Sequence, residues 1–154
     1  MKKLVLATAL AALLVAALAT TSSAAPGRTL RLLSVQSSFA MSPSPEPRPG
    51  STMIFTATIY NRAAQFGKKA GARIGTSESV CTIVSDSKAQ CTITAHLPNG
   101  ELVVTGAMLV SEQNLSHSAF AITGGVGAYA GARGSVSSRD LDQTRTLIDL
   151  HLLG

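Results

Sequence analysis

The chain has 154 residues, 45% of them hydrophobic and 14% charged, with no Trp, four Phe and two Tyr. Its formal charge of +5 comes without Lys/Arg clusters or interleaved aromatics, which excludes a nucleic-acid binder. The length excludes two ordinary domains, and the apolar content excludes a disordered tail.

The apolar excess is concentrated at the start. Lys2 and Lys3 precede a 16-residue stretch from Leu4 to Ala19, apolar but for Thr8, and then small polar residues. A basic start, an apolar middle and a small-residue exit predict a secretory signal peptide over residues 1–24. Ser22 and Ala24 sit at positions −3 and −1 of a cut after Ala24, whereas a cut after Ala25 would put Pro26 immediately downstream. The competing reading, an uncleaved anchor, needs a span of about 20 strongly apolar residues, and this Ala-rich stretch is shorter. What remains is one domain over residues 25–154, with eleven Lys and Arg against eight Asp and Glu. The expected product is extracellular and, after cleavage, free of the membrane.

Beyond the leader, period-two alternation recurs and no amphipathic helix is evident. Thr29 to Val35 is a first strand; residues 37–51, with Pro43, Pro45, Pro47, Pro49 and Gly50, form a proline-rich loop. Thr52 to Tyr60 is apolar on both faces, which predicts a wall buried on both sides. Gly71 to Val84 and Ala89 to Leu97 flank the polar turn Asp86-Ser87-Lys88 and form a hairpin. Cys81 and Cys91, the only cysteines, then face each other across it, and in an oxidising compartment a disulfide is expected. His96, His117 and His151 stand apart in sequence, so no metal site is expected. Pro98-Asn99-Gly100 is a tight turn into a strand from Glu101 to Val110. Ser118 to Thr123, Gly131 to Ser138 and Thr144 to Leu152 complete eight strands. Patterning alone leaves two all-β architectures open, a closed antiparallel barrel able to hold one small ligand and a two-sheet sandwich.

The segment from Phe120 to Gly134 discriminates further. Its Gly125-Val126-Gly127-Ala128-Tyr129-Ala130 has the look of a dinucleotide fingerprint, but that motif needs a helix after the glycines. Here Gly131, Gly134, Val136, Ser137 and Ser138 follow, which favours another strand. The run Gly124-Gly125-Val126-Gly127-Ala128-Tyr129-Ala130-Gly131-Ala132-Arg133-Gly134 instead resembles the dirigent and allene oxide cyclase-like barrel family, in its small secreted bacterial branch. The cysteine hairpin and Leu97-Pro98-Asn99-Gly100 support the likeness, which covers nearly the whole chain after the leader.

The resemblance implies an eight-stranded antiparallel β-barrel of the calycin type, often a trimer, that binds a small hydrophobic or phenolic ligand. It implies a cofactor-free role in directing that ligand's cyclisation or stereoselective coupling, as an isomerase or an auxiliary protein. By the same likeness Arg133 and Tyr129 are ligand-binding candidates, and Tyr60 is a third from its two-sided strand. Gly124, Gly125, Gly127 and Gly134 are expected to shape the turn. Structural alternatives stand beside these roles: Tyr129 as a plug of the barrel end, and Arg133 in an ion pair with an acid such as Asp140. The acids used by plant dirigent proteins have no counterpart near the glycine turn, so no catalytic residue is assigned. Asp140 and Asp142, the one close carboxylate pair, sit in a polar turn expected to be solvated. Asn114-Leu115-Ser116 matches a glycosylation sequon, and Lys68-Lys69 reads as a solvated face. The alternative function is a non-catalytic secreted structural or interaction module.

Overall fold

A computed structural model of the chain describes residues 27–43, 45–110 and 119–154. The expected leader and its cut after Ala24, the sequon at Asn114 and His117 lie outside the described residues.

Eight strands follow one another as β1 (Arg28–Ser42), β2 (Thr52–Asn61), β3 (Arg73–Ser85), β4 (Lys88–Leu97), β5 (Gly100–Leu109), β6 (Ala119–Gly127), β7 (Gly134–Asp140) and β8 (Arg145–Leu152). Each pairs antiparallel with its neighbour in sequence, and β8 returns to β1, closing the barrel. The sandwich is thereby excluded. Closure leaves no edge strand with unpaired backbone groups.

The strands fall where alternation places them, and most ends agree within two residues. Three strands differ by more: β6 continues to Gly127, four residues past the expected Thr123, β7 starts at Gly134 instead of Gly131, and β1 runs on through Ser42, well into the stretch expected to be a loop. Its register slips between Gln36 and Ser38, and the strand then pairs from Ser38↔Thr56 to Ser42↔Thr52. That bulge breaks the period-two pattern, which is why the continuation was hidden; the loop proper starts at Pro43, where proline first removes a donor.

The expectation for β2 is also corrected. Met53, Ala57 and Ile59 are 4%, 9% and 3% exposed, yet Ile54 is 45% exposed on the opposite face. The wall is buried inside and open to solvent outside. Phe39, Val80 and Val84 are likewise exposed.

Because neighbouring strands run in opposite senses, the connections gather at two ends. One end carries residues 62–72, 98–99 and 128–133; the other carries 43–51, 86–87 and 141–144. The main core fills the first end: Leu30, Leu32, Ile59, Ile74, Leu97, Leu102, Ile122, Tyr129 and Leu150 pack together, with Phe66 against them. Leu30 and Leu102 are wholly buried. Completely burying such side chains contributes about 1.5–3 kcal/mol each.

A smaller core lies towards the second end, around the disulfide. Cys81 and Cys91 are register partners in the hairpin, with S–S 2.05 Å and Cα–Cα 4.0 Å, and they pack with Met53, Ile83 and Ala89.

Candidate functional site

Two features seal the first end. The connection 62–72 is tied down by Asn61, only 2% exposed, whose Nδ2 donates to the carbonyls of Gln65 at 3.0 Å and Lys68 at 3.2 Å. Gln65 in turn grips β1, its Nε2 donating to Arg31 O at 2.8 Å while its Oε1 accepts from Arg31 N at 3.1 Å. This holds Phe66 against the core, with the Arg28 guanidinium 5.4 Å from its ring centre. A carboxamide that satisfies several orphan carbonyls at once is how a buried polar residue stabilises an otherwise irregular segment.

The second seal is the glycine segment. Gly124 and Gly125 lie within β6, and the turn itself runs from Ala128 to Arg133. A Cβ on Gly125 would stand 2.5 Å from Glu101 O and 2.6 Å from Tyr129 O, so only glycine lets the chain fold back this closely. Gly127 has φ 65°, a conformation that L side chains rarely adopt. Gly134 opens β7, paired to Ile122 and Leu152, and Gly124 has open space where a side chain would be. The result is that Tyr129, 6% exposed, lies in the closed-end core with its hydroxyl donating to Pro98 O at a long 3.4 Å. Burial raises its phenol above the ordinary value, against a smaller opposing effect of Arg28.

The cavity lies elsewhere. About 660 Å³ of space opens towards the second end, walled in part by Cys81 and Cys91 of the smaller core. The exposed turn from Asp140 to Thr144 forms its rim. Its walls differ in chemistry. On β4, β5 and β6 the lining is Cys91, Ile93, Val104, Met108 and Phe120. On β7, β8 and β1 it is chiefly Ser138, Asp140, Thr146, Ser34 and Gln36. In the strand order β1 faces β5 and β8 faces β4, so an apolar wall opposes a polar one. Phe55 with Ser77 and Ser79 joins them on β2 and β3.

The rim carboxylates have different employment. Asp142 holds the 141–144 turn: its Oδ1 accepts from Thr144 N at 2.9 Å and Arg145 N at 2.9 Å, and its Oδ2 from Arg145 Nε at 2.6 Å. These donors, the Thr144 N–H first and the Arg145 side chain next, lower its pKa to about 2. Asp140 accepts one hydrogen bond, from Thr146 Oγ1 at 2.7 Å. No cation among the described residues forms an ion pair with it.

The sequence-predicted residues are therefore dispersed. Tyr129 and Arg133 belong to the closed end, Arg133 exposed with its carbonyl accepting from Leu153 N at 2.9 Å. Tyr60 alternates with inward Ile59 and Asn61 and stands on the outer face, paired with Leu33 and Arg73. None of the three lines the cavity. An Arg133–Asp140 ion pair is ruled out because the two residues sit at opposite ends of β7. His96 and His151 are also on the outer face, bonded to Glu101 Oε1 at 2.9 Å and to Thr29 and Ser137 at 3.2 Å. The lining residues that sequence reasoning passed over had a readable signal. Along the inward face of β1, Leu30 and Leu32 give way to Ser34 and Gln36; along β7, Val136 gives way to Ser138 and Asp140.

No family model and no curated protein sequence matches the chain. Among solved structures, pyocyanin demethylase superposes with a TM-score of 0.62 at 24% identity, over 81% of this chain and 99% of that one. The pterocarpan synthase dirigent protein GePTS1 gives 0.55 at 13% identity, over 82% of each chain. The Diels-Alderase AbmU from Streptomyces koyangensis gives 0.54 at 19% identity, over 95% of this chain and 80% of that one. What this chain shares with all three is the eight-stranded barrel.

Proposed function

We propose that the protein binds a small, largely apolar or phenolic molecule in the cavity at the open end and directs its cyclisation or coupling without a cofactor. The observation that carries this reading is the cavity itself, whose 660 Å³ is the size of a small-molecule site. One apolar wall and one hydrogen-bonding wall would orient a guest, and holding a reactive intermediate in one geometry away from water selects its product. The names of the structural neighbours support the same class, since they speak of pyocyanin, of pterocarpan synthesis and of a Diels–Alder reaction. We read the protein as exported, with Ala25 as its first residue after cleavage, and as a trimer; N-terminal sequencing and light scattering check both.

The test is to block the cavity. Ser79 lines it and is half-buried, so Ser79→Phe places a ring in the space the guest would occupy. A ligand found by native mass spectrometry from a library of aromatic and polycyclic molecules loses at least about tenfold in affinity, the equivalent of about 1.4 kcal/mol. Unchanged binding, or a library from which nothing binds, overturns the reading. A second reading, an interaction module, draws on the exposed Ile54, Val80 and Val84 of the outer face. Partner binding by that face would survive Ser79→Phe.

A further inference from the structure

We infer that the cavity selects its guest by charge, taking neutral or cationic molecules with hydrogen-bond donors along one edge and turning away carboxylates and phenolates. This rests on the cavity-binding reading and names the class of molecule that reading leaves open.

Among the described residues the cavity is lined by two carboxylates, Asp140 and Asp142, and by no Lys, Arg or His. Two cations flank the rim in sequence, and one is already engaged, since Arg145 Nε holds Asp142 Oδ2 at 2.6 Å. Arg139 alternates with the inward residues Ser138 and Asp140, so its side chain belongs to the outer face of β7. Arg133, the basic residue that the sequence resemblance offered for an anionic oxygen, is at the other end of the barrel. An anion entering the cavity would lose its hydration, find no counter-charge among the described lining residues, and meet Asp140, whose one partner among them is a hydroxyl. Desolvating an unpaired charge is among the costliest events in binding. An ammonium or a protonated ring nitrogen would meet the opposite situation, an attractive carboxylate at the rim.

The polar wall adds direction to that choice. Asp140, Gln36 and the hydroxyls of Ser34, Ser138 and Thr146 lie on adjacent strands β7, β8 and β1. They offer hydrogen-bonding groups along one side, among which the Asp140 carboxylate alone accepts without donating, while Phe120, Met108 and Val104 offer contact surface on the other. A flat guest with donors along one edge satisfies both walls, and Asp140 determines which charge that edge can carry.

Three probes with one carbon skeleton test this: naphthylmethylamine, naphthalenemethanol and naphthoic acid, which at pH 7 are a cation, a neutral molecule and an anion. Their affinities for the purified protein are measured by calorimetry or ligand-observed NMR. The amine is expected to bind at least about tenfold more tightly than the acid, with the alcohol between them. Asp140→Asn, which keeps an oxygen for Thr146 to donate to, narrows the amine-to-acid ratio to about threefold or less. Equal binding of amine and acid, or a ratio that Asp140→Asn leaves intact, overturns charge selection while the cavity reading stands. If none of the three binds, both fall. The wild-type ratio needs no variant, so the inference can fail even if Asp140→Asn does not fold.

Discussion

The two ends of this barrel use the same strands for opposite purposes. At the closed end, inward positions carry Leu, Ile and Tyr, and side chains fill the space between strands. At the open end, the same inward face of β1, β7 and β8 carries Ser, Gln, Asp and Thr, and a cavity remains. The closed end is where the chain obtains stability; the open end is where it can give some up for a guest. Substitutions should therefore separate: those at the closed end should lower stability and spare binding, and those at cavity-lining positions of the open end, the disulfide apart, should do the reverse.

The largest expected effect is at Leu102, wholly buried in the closed-end core. Leu102→Ala removes three carbons and leaves a cavity, which costs about 2–5 kcal/mol. Urea unfolding measures it. A loss below about 1 kcal/mol would show that the closed end tolerates voids and that the distinction between the ends is one of degree.

Next is the disulfide, which belongs to the second, smaller core. Replacing Cys81 and Cys91 together by Ala opens a loop closed across a separation of 10 residues. The chain-entropy estimate puts the loss at about 2.5–3 kcal/mol. Because both cysteines also line the cavity, this variant should alter ligand affinity as well, unlike Leu102→Ala. A change in stability with no change in affinity would place the guest away from β3 and β4.

How much of this was readable beforehand follows the same division. The barrel, its strand sequence and the Cys81–Cys91 pairing were legible because alternation, turn residues and facing cysteines are local signals. The closed end was partly legible too: Gly125 and Gly127 are required by close backbone approach and positive φ, and Tyr129 has the plug position that was one of its two readings. The cavity was not legible. A serine at Ser34 or Ser138 reads as an exposed strand residue until the inward phase is fixed, and the phase of β1 is disturbed by the bulge at Gln36 and Ser38. The resemblance drew attention to Arg133, on a turn that the antiparallel order carries to the far end. In sequence Asp140 and Asp142 read as a solvated turn, which fits Asp142's structural role but hides the rim that Asp140 occupies.

The rim itself can be loosened by acid. Asp142 has its pKa lowered to about 2 from a model-peptide value of 3.8, so its carboxylate favours the folded turn. A depressed folded-state pKa contributes stability that is complete above about 4 and lost as pH falls towards 2. Amide exchange at Thr144 and Arg145, whose N–H groups Asp142 accepts, should accelerate over that window relative to the closed-end amides. Asp142→Asn should show the faster exchange at neutral pH and lose the acid dependence.

The smallest effect on stability is expected at Tyr129, and it is the most telling one for the contrast between the ends. Its ring is buried in the closed-end core, while its hydroxyl makes one long bond of 3.4 Å to Pro98 O. Tyr129→Phe keeps the ring and removes a weak bond, so the loss should be about 1 kcal/mol or less. Ionising the phenol is a different matter, because burial raises its pKa. A raised folded-state pKa means stability that is complete below the unfolded value of 10 and is lost as pH rises through the higher folded one. Wild type should therefore weaken above pH 10 by more than Tyr129→Phe does, since the variant has nothing there to ionise. Ligand affinity should be the same in both proteins at neutral pH. If Tyr129→Phe instead costs tenfold in affinity, about 1.4 kcal/mol, the phenol reaches the guest, and the boundary between a filled end and a binding end would have to be redrawn across the middle of the barrel.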